Sequence, residues 1–387
     1  MPAFPAWGAV GALPLVLFAV LAIAPQASEA QAPASSARSD RVQVAAGKAG
    51  RASDARAKAA VSAKQRQTAR KAVPRRAAPP VPSVGQRSGL HAVDNELALK
   101  SAVALVIDRE TDEVLFSKNP GAVLPIASIT KLMTALVVVE SGQSLDEALS
   151  VTPDDVRATA GSNSRRRLAP GTQLTRGEML RLALMASENR AAHALGRSHP
   201  GGIGAFVAAM NARAQLLGMH DTRYVEPTGL SSENRSSAQD LARLVRAASE
   251  HAIIGEYSTA SETTVEMGRQ QVQFRNTNGL VRSPDWDIEV QKTGYIAAAG
   301  RCVVMQAQMA GRQLIMVLLD SAGRYSRIGD AERLRHWLFQ GADLARGKAA
   351  SDVGAGGDVE AAPAAASAAA VLAEGRAGAE AAPAQAR

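Results

Sequence analysis

Apolar residues in this chain change period along its length, and the changes mark out the elements. Ala102–Asp108 and Val114–Ser117 are short runs rich in β-branched residues on either side of a polar turn at Arg109–Asp112, and they predict two paired strands. A helical pattern follows over Ser128–Ser141. Thr175 with Glu178 forms a Ser/Thr-x-x-Glu capping box and predicts a helix through about Ala186. Further helices are expected at 204–217 and 237–250. The pattern then returns to β: Ile288–Gln291 reads as a short strand, and Cys302–Met309 and Leu314–Leu319 flank Ala310-Gly311-Arg312 as a hairpin. A last helix at about 327–339 carries Leu334, Trp337 and Leu338 on one face. Strands at both ends with helices between them predict an α/β fold, an antiparallel sheet with a mostly helical insertion, spanning about residues 95–345.

The flanks of this region read differently. Gly8–Ala24 is apolar but slightly short for a membrane span, and Ser28-Glu29-Ala30 offers a small-x-small cleavage site. Residues 1–30 are therefore expected to be an export signal, cut after Ala30. No Lys or Arg precedes the apolar run, so an uncleaved, membrane-associated anchor is the alternative. Either outcome places the rest outside the cytoplasm, in the periplasm. Residues 31–94 read as a disordered basic linker of Ala, Arg, Lys, Ser and Pro, too poor in apolar surface to offset the entropy of ordering. Residues 346–387 read as a disordered Ala/Gly-rich tail.

Charge alters the reading of partners. Of 387 residues, 44 are Lys or Arg and 36 are Asp or Glu, a formal +8. Residues 31–90 alone hold thirteen Lys and Arg against two Asp, a net of +11, so residues 91–387 are close to neutral. The basic segment has no aromatic residue to stack on bases, which argues against nucleic acid. It suits electrostatic contact with an anionic wall polymer or membrane, or a solvated spacer. The single cysteine, Cys302, excludes an intrachain disulfide and a cysteine zinc site. The histidines show no His-x-x-x-His spacing.

Lysine usage points to the chemistry. Beyond residue 118 only Lys131, Lys292 and Lys348 remain, although the chain holds 35 arginines. Arginine keeps its proton, whereas a buried lysine can lose it. Lys131 follows Ser128 by three residues, so on a helix its amine can reach the Ser128 hydroxyl. A serine hydroxyl needs a base to become a nucleophile, and lysine qualifies once burial and a nearby cation lower its pKa. Ser187-Glu188-Asn189, in an irregular turn, offers Ser187 as a proton relay and Asn189 as a ligand for a substrate amide. Lys292-Thr293-Gly294, at a strand end, offers three functions. Lys292 is the expected cation beside Lys131, the Thr293 hydroxyl is a partner for a substrate carboxylate, and Gly294 leaves room for a substrate backbone along the strand. The amide of Tyr295 would complete an oxyanion hole with that of Ser128. Each motif alone is weak; the three in this order and local structure are specific.

These motifs, with the stretches PIASITKLMTA, SENRAAHALGR, Glu226-Pro227-Thr228-Gly229-Leu230, KTGYIAAAGRC and VLLDSAGRYSR, resemble the penicillin-binding serine DD-peptidases. Within that family the likeness is to the penicillin-binding protein 7 type D-alanyl-D-alanine endopeptidases. The resemblance implies a β-lactamase/DD-peptidase-like α/β fold with a mostly helical subdomain. It implies Ser128, Lys131 and Ser187 as catalytic residues, and Asn189, Lys292, Thr293, Gly294 and Tyr295 as substrate-binding ones. It further implies peptidoglycan stem peptides as substrate, β-lactams as covalent inhibitors, and no metal or organic cofactor.

Three alternatives share these motifs. A D-alanyl-D-alanine carboxypeptidase uses the same machinery. A class A-like β-lactamase needs a glutamate that activates water, for which Glu226 is the candidate, although it lies outside a Glu-x-x-Leu-Asn pattern. A non-catalytic wall-binding protein keeps the fold alone. Elsewhere the residues read as structural: His193 and His251 on helix surfaces, Trp286 and Trp337 in packing, Arg165-Arg166-Arg167 on a solvated strand edge. Arg301 is a further candidate for a substrate carboxylate.

Overall fold

Strands covered on both faces need runs of apolar residues instead of alternation, and the sequence supplies them at the centre of Arg312–Ser321 (RQLIMVLLDS) and of Gly300–Met309 (GRCVVMQAQM). The structure, a computed structural model, describes residues 81–161, 168–268 and 270–354. Five antiparallel strands form its central sheet in the order Val114–Lys118, Ser101–Asp108, Arg312–Ser321, Gly300–Met309, Asp287–Ile296. Side chains alternate between two cores. Val103, Leu105, Val304, Val317 and Leu319 face the helical insertion. Ala104, Val106, Val303, Met305, Met316 and Leu318 face the closing helix Ser326–Gly354, with Leu334 and Ala331 buried on them. Phe116 and Trp337 meet edge to face across this second core, 5.8 Å between centroids.

The insertion is built around helix Thr130–Glu140, buried from Thr130 to Val138 and apolar on nearly every side. Helices Arg176–Met185, Asn189–Arg197, Gly202–Leu216 and Ala238–Ser249 surround it. Thr175 caps Arg176–Met185 with the expected box, its hydroxyl accepting from the Glu178 amide. The expected strands, hairpin and main helices are all present. Helices Pro153–Ala158 and Ala252–Thr259 and the hairpin Glu262–Met267/Gln270–Arg275 are additions. In the strands of that hairpin Val265 and Phe274 are the buried residues, so these strands lack the apolar run used to find strands.

Three boundaries differ from expectation. The linker does not reach residue 94. Ser83 caps a short helix, Val84–Arg87, through a box with Gln86, and its hydroxyl donates to buried Asp320 at 2.5 Å. The Val84 amide also donates to the Ala298 carbonyl at 2.9 Å. This strap holds its place by polar contacts to the sheet, which an apolar-content argument does not detect. The Ile288–Gln291 strand is longer, Asp287–Ile296, so Lys292-Thr293-Gly294 lies inside it, paired with Val304, Val303 and Cys302. The closing helix runs on into the alanine-rich tail as far as Gly354, consistent with alanine's high helix propensity. The export-signal segment, the linker before residue 81, Arg165-Arg166-Arg167 and the tail beyond Gly354 lie outside the described residues.

Candidate active site

Ser128 sits in a 3-10 turn, Ala127–Ile129, that leads into helix Thr130–Glu140. Ala127 ahead of it has φ 48°, an uncommon left-handed value for a residue with a side chain. The turn is held from several sides. The Thr130 hydroxyl donates to the Ala127 carbonyl at 2.9 Å, and Asn234 Nδ2 donates to Thr130 Oγ1 at 3.1 Å. Gly229 and Gly294 press against the same peptide. A Cβ on Gly229 would come 1.9 Å from Ala127 O, and one on Gly294 would come 3.0 Å from the Ser128 amide nitrogen. Gly294 is thereby brought against the Ser128 peptide, and Tyr295, next in the strand, lines the same cleft as Ser128.

One helical turn on, the Lys131 amine is fully buried. Nζ lies 2.9 Å from Ser128 Oγ, 2.6 Å from Asn189 Oδ1 and 2.6 Å from the Thr228 carbonyl. The last two groups only accept, so both hydrogens of a neutral amine are engaged there and its lone pair is left facing the serine hydroxyl. Burial pushes the Lys131 pKa down to about 8, against the charges of Glu226 and Glu188, which raise it.

Lys292 is also fully buried, with Nζ donating to the Thr293 carbonyl at 2.8 Å. Its pKa falls well below the usual lysine value through burial first, then repulsion from Lys131 and Arg327. The expectation that Lys292 is what keeps Lys131 uncharged is thus revised. Desolvation is what lowers Lys131, and it is Lys131 that, after burial, depresses Lys292.

The Ser-Glu-Asn turn is partly helical. Glu188 is the N-cap of helix Asn189–Arg197, accepting from the Arg190 amide, and Asn189 is its first residue. Glutamate is a poor N-cap signal, which hid this start. Ser187 has φ 58° and lines the same cleft as Ser128, Asn189, Thr293, Gly294 and Tyr295. That cleft has a volume of about 680 Å³. Thr293 Oγ1 is hydrogen-bonded to Thr277 Oγ1 at 2.7 Å. Strand Asp287–Ile296 is the sheet's edge, so among the described residues no further strand pairs with its outer side, which borders the cleft.

Sequence reasoning missed Thr277, Thr228 and Arg327. Arg327 lines the cleft, 3.4 Å from the Gly294 carbonyl, and its signal was a second arginine after the last sheet strand. Arg301 lines the cleft too, its guanidinium 4.5 Å above the half-exposed Tyr295 ring. His193 is more than a helix-surface residue: its Nδ1 meets buried Asp155 at 2.7 Å. His251 precedes helix Ala252–Thr259, with Glu140 3.4 Å away. Trp286 and Trp337 pack in the second core. Glu226 directs its carboxylate into its own loop, accepting from the amides of Thr228, Gly229 and Ser231, the Thr228 hydroxyl and Asn234 Nδ2.

The family model described as D-alanyl-D-alanine carboxypeptidase matches residues 91–323. A protein of Pseudomonas aeruginosa named D-alanyl-D-alanine endopeptidase is 48% identical over 245 residues, 63% of this chain and 78% of its own length. One of Escherichia coli with the same name is 42% identical over 267 residues, 68% of this chain and 86% of its own. The solved structure of a Streptomyces DD-transpeptidase superposes with a TM-score of 0.59 at 24% identity, covering 62% of this chain and 98% of that one, a likeness of fold.

Proposed function

Because this chain belongs to the D-alanyl-D-alanine carboxypeptidase family of serine peptidases, we propose that it is a D-alanyl-D-alanine endopeptidase that opens peptidoglycan cross-links through an acyl-enzyme on Ser128. The observation that carries this is the Lys131 amine, buried and 2.9 Å from Ser128 Oγ, with its other two partners both acceptors. The choice of endopeptidase rests on the two relatives so named.

In this reading neutral Lys131 takes the Ser128 proton as Oγ attacks the carbonyl of a D-alanyl residue. The amides of Ser128 and Tyr295 hold the oxyanion. The substrate backbone lies along the outer side of Asp287–Ile296, over Gly294, with the Thr293 hydroxyl and Lys292 at its anionic end. Asn189 binds a substrate amide. Ser187 relays the proton held by Lys131 to the departing amine, the side-chain amine of a diamino acid in the cross-link. Water then releases the acyl group from Ser128. A β-lactam acylates the same oxygen and leaves slowly.

The apolar Gly8–Ala24 segment and the Ser28-Glu29-Ala30 site support export to the periplasm, where such a substrate would be met. The basic linker would hold it near anionic wall polymer or membrane. The test is digestion of purified cross-linked muropeptides by a protein of residues 81–354. Conversion of dimers to monomers with terminal alanines retained is the expected result. Release of alanine alone would make the enzyme a carboxypeptidase, and Ser128→Ala should abolish either activity.

A further inference from the structure

The loop between helices Gly202–Leu216 and Ala238–Ser249 contains Glu226-Pro227-Thr228-Gly229-Leu230, and the Glu226 carboxylate is hydrogen-bonded throughout it. Oε2 accepts from the Thr228 amide at 2.7 Å and the Thr228 hydroxyl at 2.6 Å. Oε1 accepts from the Gly229 amide at 2.7 Å, Asn234 Nδ2 at 3.0 Å and the Ser231 amide at 3.3 Å. Five donors on one carboxylate fix the turn around it. A carboxylate so occupied has little acceptor capacity left to activate water.

What that turn touches matters more. The Thr228 carbonyl receives Lys131 Nζ at 2.6 Å, the Pro227 carbonyl receives Thr134 Oγ1 at 2.7 Å, and Gly229 lies against the Ala127–Ser128 peptide. The turn therefore contacts both members of the Ser128–Lys131 pair. We propose that Glu226 is a positioning residue for acylation: its carboxylate locks the Thr228–Gly229 turn, which aims Lys131 through the Thr228 carbonyl and seats the Ser128 peptide through Gly229.

The carboxylate also has an electrostatic consequence that tells positioning from mere stability. The charged groups that shift Lys131 are Glu226 from this turn and Glu188 from the cap of helix Asn189–Arg197; Lys292, on the edge strand, is itself pushed down by burial and by Lys131. Glu226 favours the ammonium form of Lys131. Removing its charge therefore makes the amine easier to deprotonate, and the acid limb of acylation moves to lower pH.

The inference rests on Ser128 being the acylated serine, so each experiment begins with the wild-type adduct of a fluorescent penicillin, located by mass spectrometry. In Glu226→Gln the maximal acylation rate constant is expected to fall by up to about 10²-fold, as misplacing a reacting pair does, while the acid limb moves down in pH. Thr228→Val cuts one donor and keeps the charge, so its maximal rate falls with the acid limb in place. A wild-type maximal rate in Glu226→Gln, or an acid limb left at the wild-type pH, overturns the role of Glu226. Should Glu226→Gln fail to fold, Thr228→Val decides alone: a wild-type rate overturns the proposal and a lowered one supports it. A wild-type protein that takes no penicillin on Ser128 overturns the reading of the site and this inference together.

Discussion

Lys131 Nζ stands 2.9 Å from Ser128 Oγ, one helical turn away, at the base of a cleft closed on one side by the edge strand Asp287–Ile296. Its pKa of about 8 fixes the direction of a pH dependence. The reactive form is the neutral amine, so the rate constant for acylation by a penicillin should rise with pH and level off above about 8. A rate that falls across that range would remove Lys131 as the base.

Arginine cannot take the serine proton at neutral pH. Lys131→Arg should lower acylation by about 10²–10⁴-fold, the usual contribution of a general base. Stopped-flow fluorescence with a labelled penicillin measures it. A near-native rate would mean that another group activates Ser128.

Asn189 Oδ1 accepts from Lys131 at 2.6 Å. Asn189→Asp puts a carboxylate there, favours the ammonium form and should move the acid limb to higher pH, opposite to Glu226→Gln. The pair of profiles, taken under one buffer series, checks the sign of both.

Gly229 has φ 80°, and an added Cβ would fall 1.9 Å from the Ala127 carbonyl oxygen. Gly229→Ala should destabilise the protein by about 1–3 kcal/mol from backbone conformation alone and should displace the Ser128 peptide. A lower Tm together with slowed acylation is expected. Retention of both would mean that the loop relaxes without cost.

The strap ahead of the first sheet strand belongs to the fold. A chain that starts at residue 95 lacks Ser83, whose hydroxyl donates to buried Asp320. Losing that partner should cost about 1–3 kcal/mol, read as a lower Tm than that of a chain starting at residue 81.

The sequence by itself determined the elements and the chemistry. Apolar periodicity placed the sheet strands and the helix that follows Ser128, because side-chain direction is a local property of helix and strand. The Ser128 to Lys131 spacing was legible for the same reason: three residues on a helix bring two side chains to one face. Lysine retained in an arginine-rich chain marked Lys131 and Lys292. Local pattern misjudged the strap at Ser83, held by distant Asp320, the helix whose start carries an unusual Glu188 cap, and the full length of Asp287–Ile296, set by pairing with Gly300–Met309. It could not show that the Thr228 carbonyl, ninety-seven residues on, completes the shell of the Lys131 amine, or that Gly229 and Gly294 meet on one peptide. Nor could it assign the lowered pKa of Lys131 to burial instead of to Lys292. Those depend on which distant segments share a volume and exclude water from it, and only the packed tertiary structure decides that.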